Sequence, residues 1–454
     1  MRLIPARGRR SATLALGVLL ACGALLAIAV LLVRGSPGEV PGADGGDHEE
    51  PSARPEPSAD PEETGPAPAP DREPAPDPEP QEAPDPYEAT MRGAWVHLFD
   101  DALKTRAGIV EVVEELAAAD ATAVVAQVAR RWDAYYTSEL LPRTPDPRLE
   151  DGLDVLAVLL EEAHARNLEV HAWITVAPTW HHAYDDLPRP SGWLPPAHGV
   201  EAPEDQRWVT RTVDGEWSDY LDPALPEVQE HAAAVSAEIA REYPVDGLHL
   251  DYVRYSSERH GYHPRALARY RDETGASGTP SPTDPGWSAW RRERTRELVA
   301  SVADAVAAAD RGVELSAAVI AWGEGPGGPS TADFEATRAH REALQDWPRW
   351  AQEGLVDALM PMVYFRDADE QQAAWFDQWT EFQTDLNAQT PTRIVPGVGG
   401  WLNAPEATLE QTTRSMGVGD GALVYSYQQP TSDESREVFD ELADQRWGFF
   451  DPDG

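Results

Sequence analysis

The chain has 454 residues and a formal net charge of −42, most of it on residues 89–454, which also hold all sixteen tryptophans. So acidic a surface repels phosphate backbones and anionic headgroups, which argues against nucleic acid as a partner and against docking of this part onto lipid. Cys22 is the only cysteine, so residues 89–454 have no disulfide, zinc–thiolate site or cysteine nucleophile available to them.

Residues 1–35 contain five arginines and no acidic residue, and Ala12 to Val33 is a run of 22 uncharged residues behind Arg2, Arg7, Arg9 and Arg10. At about 1.5 Å per residue such a run crosses the hydrocarbon core of a bilayer, with the arginine-flanked end kept cytoplasmic. This reads as a transmembrane helix that anchors the chain and leaves the rest extracytoplasmic. A lipoprotein processed at Cys22 or a cleaved signal peptide would put the rest on the same side. Residues 36–88 hold fifteen prolines and sixteen acidic residues against two arginines. That composition cannot bury a core and predicts a disordered, semi-rigid spacer.

From residue 89 onward short apolar runs alternate with amphipathic stretches. The strand candidates are Gly93–Phe99, Ala121–Ala129, Leu168–Val176, Val245–Val253, Val313–Trp322, Val356–Tyr364, Arg393–Gly399 and Gly421–Tyr427. Helical patterns lie between them, among them Leu153–Arg166, Pro226–Glu242 and Thr295–Ala309. Eight strand–helix repeats in this length predict a (β/α)₈ TIM barrel, with a doubly wound sheet as the alternative. Residues 177–225, with Trp180, Trp193, Trp208 and Trp217, and residues 256–286 are long insertions. Both follow a strand and so emerge at the C-terminal face, where barrel active sites form. Tryptophan there offers a flat polarised surface to sugar rings, or packs the loop onto the barrel.

The fourth strand is the most informative. With a period of two, Gly247, His249 and Asp251 face the barrel axis while Leu248 and Leu250 face the helices. Asp251 then ends the strand inside the mouth, where an unpaired carboxylate is costly to bury unless it serves chemistry or pairs with Arg254 or His249. Asp246, on the opposite parity, reads as a structural hydrogen-bonding residue. Other strand ends supply His97, Gln127, His171, Trp173, Trp322, Tyr364, Tyr425 and Tyr427, which with His249 and Arg254 form the candidate substrate-binding set. Tyr, Trp, His and carboxylate converging on one mouth suit a glycan better than a phosphate, and no Gly-rich phosphate loop is present. Glycoside hydrolysis needs two carboxyl groups. Asp251 is the candidate ionised partner and Glu324, directly after strand five, the candidate acid; Asp367 and Glu258 are its rivals. Sequence leaves retention or inversion open.

Met91-Arg92-Gly93-Ala94-Trp95-Val96, Leu168-Glu169-Val170-His171-Ala172-Trp173, Tyr220-Leu221-Asp222-Pro223 and Val245 to Tyr252 occur in order. Trp287-Ser288-Ala289-Trp290-Arg291-Arg292, Leu344-Gln345-Asp346-Trp347 and Met360-Pro361-Met362-Val363-Tyr364 follow them. This series resembles the glycosyl-hydrolase-like 10 family of bacterial extracytoplasmic barrels over roughly residues 90–450. The resemblance implies a (β/α)₈ barrel, glycosidase activity, and Asp251 as the leading catalytic candidate. It also implies a cell-envelope glycan as substrate, since at least one member cuts peptidoglycan strands stripped of their peptides. Two departures stand out. Many members carry a second aspartate where this chain has Tyr252, and an arginine directly after Gln-Val, where this chain has Ala129 and then Arg130.

The leading expectation is a glycoside hydrolase held outside the membrane by its N-terminal helix, needing no cofactor. The acidic surface gives a neutral or amino-sugar glycan slight preference. One alternative is a non-catalytic carbohydrate-binding barrel. Another is a metal-dependent deacetylase built on His97, His171, His181 and His182, although paired-histidine zinc spacing is absent.

Overall fold

A computed structural model of the protein describes residues 90–179, 194–309 and 311–448. The expected membrane anchor and spacer therefore lie outside the described residues, as do Trp180, His181, His182 and Trp193. Among the described residues no helix is long and apolar enough to cross a membrane.

Eight parallel strands form a closed barrel. They are β1 (Met91–Val96), β2 (Ala123–Ala129), β3 (Glu169–Thr175), β4 (Gly247–Asp251), β5 (Glu314–Ile320), β6 (Ala358–Val363), β7 and β8 (Gly421–Tyr425). Strand β7 is split into Arg393–Ile394 and Gly397–Gly399. Pro396 has no N–H to donate between the two pieces, but its carbonyl still accepts from Leu423 N at 3.0 Å. The second piece pairs with β6 at Met362 and with β8 at Leu423, and β8 pairs with β1, which completes the circle.

The alternation read from the sequence is realised in two packed layers. Residues such as Val124, Val170, Leu248, Leu250, Ala317 and Val424 face outward into a core shared with the helices. Met91, Trp95, Val125, Trp173, Met360, Val395 and Leu423 fill the barrel itself. Among the covering helices, α1 (Arg106–Ala118) is capped by Thr105, which accepts from Gly108 N. Helix α2 (Val155–His164) is capped by Asp154, which accepts from Ala157 N. Helices α3 (Pro226–Glu242), α4 (Pro285–Ala307), α5 (Trp347–Glu353), α6 (Glu370–Asn387), α7 (Pro405–Met416) and α8 (Glu437–Asp444) follow. Asp246 accepts from Val170 N at 2.7 Å and meets His164 Nε2 at 2.8 Å, so it ties the start of β4 to its neighbours.

The described parts of the two insertions carry regular structure. In the first, Val209–Arg211 and Trp217–Leu221 form an antiparallel hairpin. Trp208 stacks on His198 at 3.9 Å, and Trp217 packs against His263 at 5.3 Å. The second contains the helix Pro264–Thr274. Trp287 and Trp290 stack on each other and meet Tyr270 edge-on. Fully buried Arg291 donates to Glu258 O at 2.6 Å and Pro282 O at 2.8 Å. The Trp287 to Arg292 motif is thus a latch that fixes the loop after β4.

Candidate active site

Asp251 ends β4 within the mouth and is 7% exposed. Its Oδ1 accepts from Tyr252 N at 2.7 Å. Burial pushes its carboxyl up to about 6, against the pull of Arg254, the Tyr252 N–H, Trp173 and Arg130. The Trp173 indole N–H acts from beyond regular hydrogen-bond geometry, since Nε1 has no bonded partner. After burial, the strongest influences on Asp251 are therefore arginines, a peptide N–H and an indole, none of them a carboxylate.

Around it stands a ring of aromatic side chains. Tyr425 lies 5.5 Å from Tyr364, 5.4 Å from Trp401, 6.0 Å from His97 and 6.5 Å from Trp173. Tyr252, at a positive φ of 54°, turns its ring to within 6.2 Å of Tyr220. Burial holds the phenols of Tyr364 and Tyr252 well above their ordinary value, so both stay protonated hydrogen-bond donors. Arg254 lies over Tyr252 at 4.6 Å and over Trp322 at 5.1 Å.

His249, one inward position below Asp251, is 0% exposed. Its Nε2 takes the Trp95 indole N–H at 3.1 Å, and its Nδ1 meets Ser316 Oγ at 2.9 Å. Trp95 can only donate, so Nε2 is bare, and Nδ1–H donates to Ser316 Oγ. Burial, helped by His171, lowers the imidazole to about 3 and keeps it neutral. The Trp95–His249–Ser316 chain is the floor of the site. Gly397 makes room for it, because a Cβ there would sit 2.2 Å from the Trp95 ring.

The structure brings Asp251, His97, Trp173, Arg254, Trp322, Tyr364 and Tyr425 together at the mouth. Gln127 supports them from below, donating to Thr175 Oγ1 and accepting from Leu98 N. Other sequence candidates are placed elsewhere. His249 is interior. His171 is deeper still, four residues before Thr175 and so about 13 Å down the strand. It is buried beside Glu169 at 3.3 Å, against Gly247, where a Cβ would come within 2.1 Å of Nδ1. Tyr427 lies past the end of β8 and turns outward, donating to Glu115 Oε2 at 2.7 Å and stacking on Phe439. Glu324 is exposed, and its flanking glycines are bonded to α6, Gly323 O to Trp379 Nε1 and Gly325 N to Gln378 Oε1. Asp367 is held through its N–H by Asn403 Oδ1, and Glu258 through its carbonyl by Arg291.

Three groups at the mouth escaped the sequence reading. Trp401 follows the Gly399-Gly400 pair, a signal for close backbone approach after a strand. Asp100, on the loop after β1, has Oδ2 3.8 Å from His97 Nε2. Its side chain is more than half exposed, and the burial it does have raises its carboxyl against the pull of Lys104, Arg148 and Arg130. Arg130 is buried, lies over the Phe99 ring and acts on Asp251, His97 and Tyr252 alike.

A family model for glycosyl hydrolase-like 10 matches residues 90–408. The chain belongs to the glycosyl hydrolase-like 10 family. It is similar to the glycosyl hydrolase DigH of Escherichia coli (strain K12), 28% identical over 252 residues that make up 54% of this chain and 54% of DigH. It is also similar to the glycosyl hydrolase YngK of Bacillus subtilis (strain 168), 26% identical over 263 residues, 56% of this chain and 48% of YngK. The chain thus spans about half the length of these relatives. In fold it is similar to the glycoside hydrolase domain of PgaB (BpsB) from Bordetella bronchiseptica, with a TM-score of 0.52 at 16% identity over 78% of this chain and 98% of that one.

The register of β2 explains how Arg130 comes to lie in the mouth of this glycosyl hydrolase-like 10 barrel. Gln127 pairs with Trp173 but Ala129 pairs with Ile174, so two residues of β2 advance against one of β3. Val128 and Ala129 both face the helices. The bulge reverses the parity, and Arg130 turns into the mouth.

Proposed function

We propose that this protein is an extracytoplasmic glycosidase acting on a cell-envelope glycan, tethered by its N-terminal segment. The observation that carries the reading is Asp251, a carboxyl buried at the C-terminal end of β4, lifted to about 6 and ringed by tryptophan and tyrosine. A carboxyl titrating there holds a proton long enough to donate it to a leaving oxygen and can take one back from water. The aromatic ring supplies stacking faces for successive sugars and excludes water from the bond under attack. The substrate class draws support from family membership and from the likeness to DigH. The location draws support from the apolar run at residues 12–33.

The mechanism needs a second carboxylate. Asp100, set against His97 on the side of the mouth where Arg130 acts, is better placed by its contacts than Glu324. The test is reducing-end release from peptide-free wall glycan by the purified protein beside Asp251→Asn, Asp100→Asn and Glu324→Gln. Loss in the first two with Glu324→Gln active supports the pair. Loss in Glu324→Gln with Asp100→Asn active returns the role to Glu324. Glycan binding without release by the unaltered protein replaces the hydrolase with a binding barrel.

A further inference from the structure

The Leu344-Gln345-Asp346-Trp347 motif, which leads into α5, grips the ends of β4 and β5. Strand β5 stays paired with β6 as far as Ile320 and Met362, but its pairing with β4 stops at Leu250 and Ala317. Beyond that point the two strands part, and the backbone groups facing the gap need other partners. Gln345 supplies them. It is 0% exposed, its Oε1 accepts from Ile320 N at 2.9 Å, and its Nε2 donates to Val253 O at 3.2 Å. A peptide N–H can only donate and a carbonyl only accept, so the amide has one orientation. Trp347 Nε1 donates to Ile320 O at 3.1 Å, so the motif takes both sides of that residue. Leu344 stands at a positive φ of 56° just before the amide, a conformation kept only where the surroundings enforce it.

Val253 belongs to the turn that carries Asp251. Asp251 O accepts from Val176 N at 2.9 Å, Tyr252 N donates to Asp251 Oδ1 at 2.7 Å, and Arg254 N donates to Tyr252 O at 2.9 Å. The bond from Gln345 crosses 92 positions of sequence and ties this turn, through Ile320, to β5. Tyr252, at a φ of 54°, sits in the turn under the same constraint as Leu344 and relaxes if the turn is released.

We infer that Gln345 is a positioning residue for Asp251, its amide tethering the turn after β4 to the end of β5 so that the carboxyl stays aimed into a dry mouth. This deepens the glycosidase reading and rests on it for the effect on turnover. The groups that act on Asp251 are Arg254, Arg130, Tyr220, Tyr252, Tyr364 and Trp173, and Gln345 bonds to the side chain of none of them. Its loss therefore acts through the shape of the turn. A released turn admits water to a carboxyl that burial lifts, and the midpoint falls.

The experiment compares the full-length protein with Gln345→Met and Trp347→Phe. The first keeps the length of the side chain and removes both amide bonds; the second removes the bond to Ile320 O and leaves the Gln345 amide in place. The Asp251 midpoint is read by carbon NMR of protein labelled in its aspartate carboxyls, the signal being the one lost in Asp251→Asn. Turnover is read as reducing-end release from peptide-free wall glycan. In Gln345→Met the midpoint is expected to fall from about 6 toward the ordinary 3.8, with kcat reduced about 10–100-fold and KM little changed. Trp347→Phe is expected to keep the midpoint at about 6. If Gln345→Met does not fold, Gln345→Asn, whose amide is too short to span both partners, is read in its place. A midpoint unmoved in the folded Gln345 variant, or one that falls equally in Trp347→Phe, overturns the inference. No release by the unaltered protein, with the midpoint still falling in the Gln345 variant alone, overturns the glycosidase reading and upholds the tether.

Discussion

Asp251→Asn should stabilise the folded protein while abolishing its activity, and the stabilisation should depend on pH. Below about pH 4 the carboxyl is protonated in the folded and unfolded chain alike, and the substitution changes little. Between its ordinary value of 3.8 and about 6 the unfolded carboxylate ionises freely, whereas the folded one stays protonated in a dry site. Above about pH 6 the folded chain bears the full cost of ionising it there. A rise of about two pKa units, at about 1.4 kcal/mol each, puts that cost at about 3 kcal/mol at pH 8 and under about 1 kcal/mol near pH 4. Asparagine keeps an oxygen for the Tyr252 N–H and never ionises. Urea unfolding followed by tryptophan fluorescence at both pH values measures the difference. A gap between variant and unaltered protein that is the same at pH 4 and pH 8, or that favours aspartate at pH 8, would refute a desolvated Asp251.

Three further outcomes are expected. With Asp251 as proton donor, kcat/KM on wall glycan falls about tenfold per pH unit above about pH 6, and a flat profile to pH 8 assigns the proton elsewhere. Trp95→Phe strips His249 Nε2 of its donor and costs about 1–3 kcal/mol in urea unfolding, whereas Trp95→Phe combined with His249→Leu costs less than the two changes added, since no lone buried acceptor remains. Gly247→Ala drives a methyl into His171 and lowers stability by about 1–3 kcal/mol or more; an unchanged midpoint would mean that the imidazole moves aside freely.

The barrel was legible because strand and helix periods alternate along the chain, broken only by the two long insertions among the described residues. Most strand ends ran one to three residues long, because apolar residues such as Leu98, Val245 and Val253 are buried just outside the paired segments, whereas β1 starts two residues earlier than expected, at Met91. The site was legible only in one dimension. A period of two tells which side of a strand a residue faces, and it put His249 and Asp251 correctly on the axis. It says nothing of height along that axis, and height separates Asp251 in the mouth from His249 in the floor and His171 deeper still. Tyr427 shared the parity of Tyr425, but the strand stops at Tyr425 and the chain turns. Glu324 sits on a loop, where no period exists to say which way it leans. Arg130 was hidden because parity cannot see an extra residue in a strand.

That extra residue bears on how relatives are compared. A one-residue insertion in a strand ordinarily turns every later side chain to the opposite face, so a family could not tolerate it beside a working site. Here the bulge at Val128 takes up an extra residue, and the Arg130 guanidinium reaches the mouth from one position later than an unbulged strand would carry it. A bulged and an unbulged strand can therefore bring the same chemical group to one point in space from different sequence positions. A search by strand parity alone would turn Arg130 away from the mouth, although its charge acts on Asp251 there.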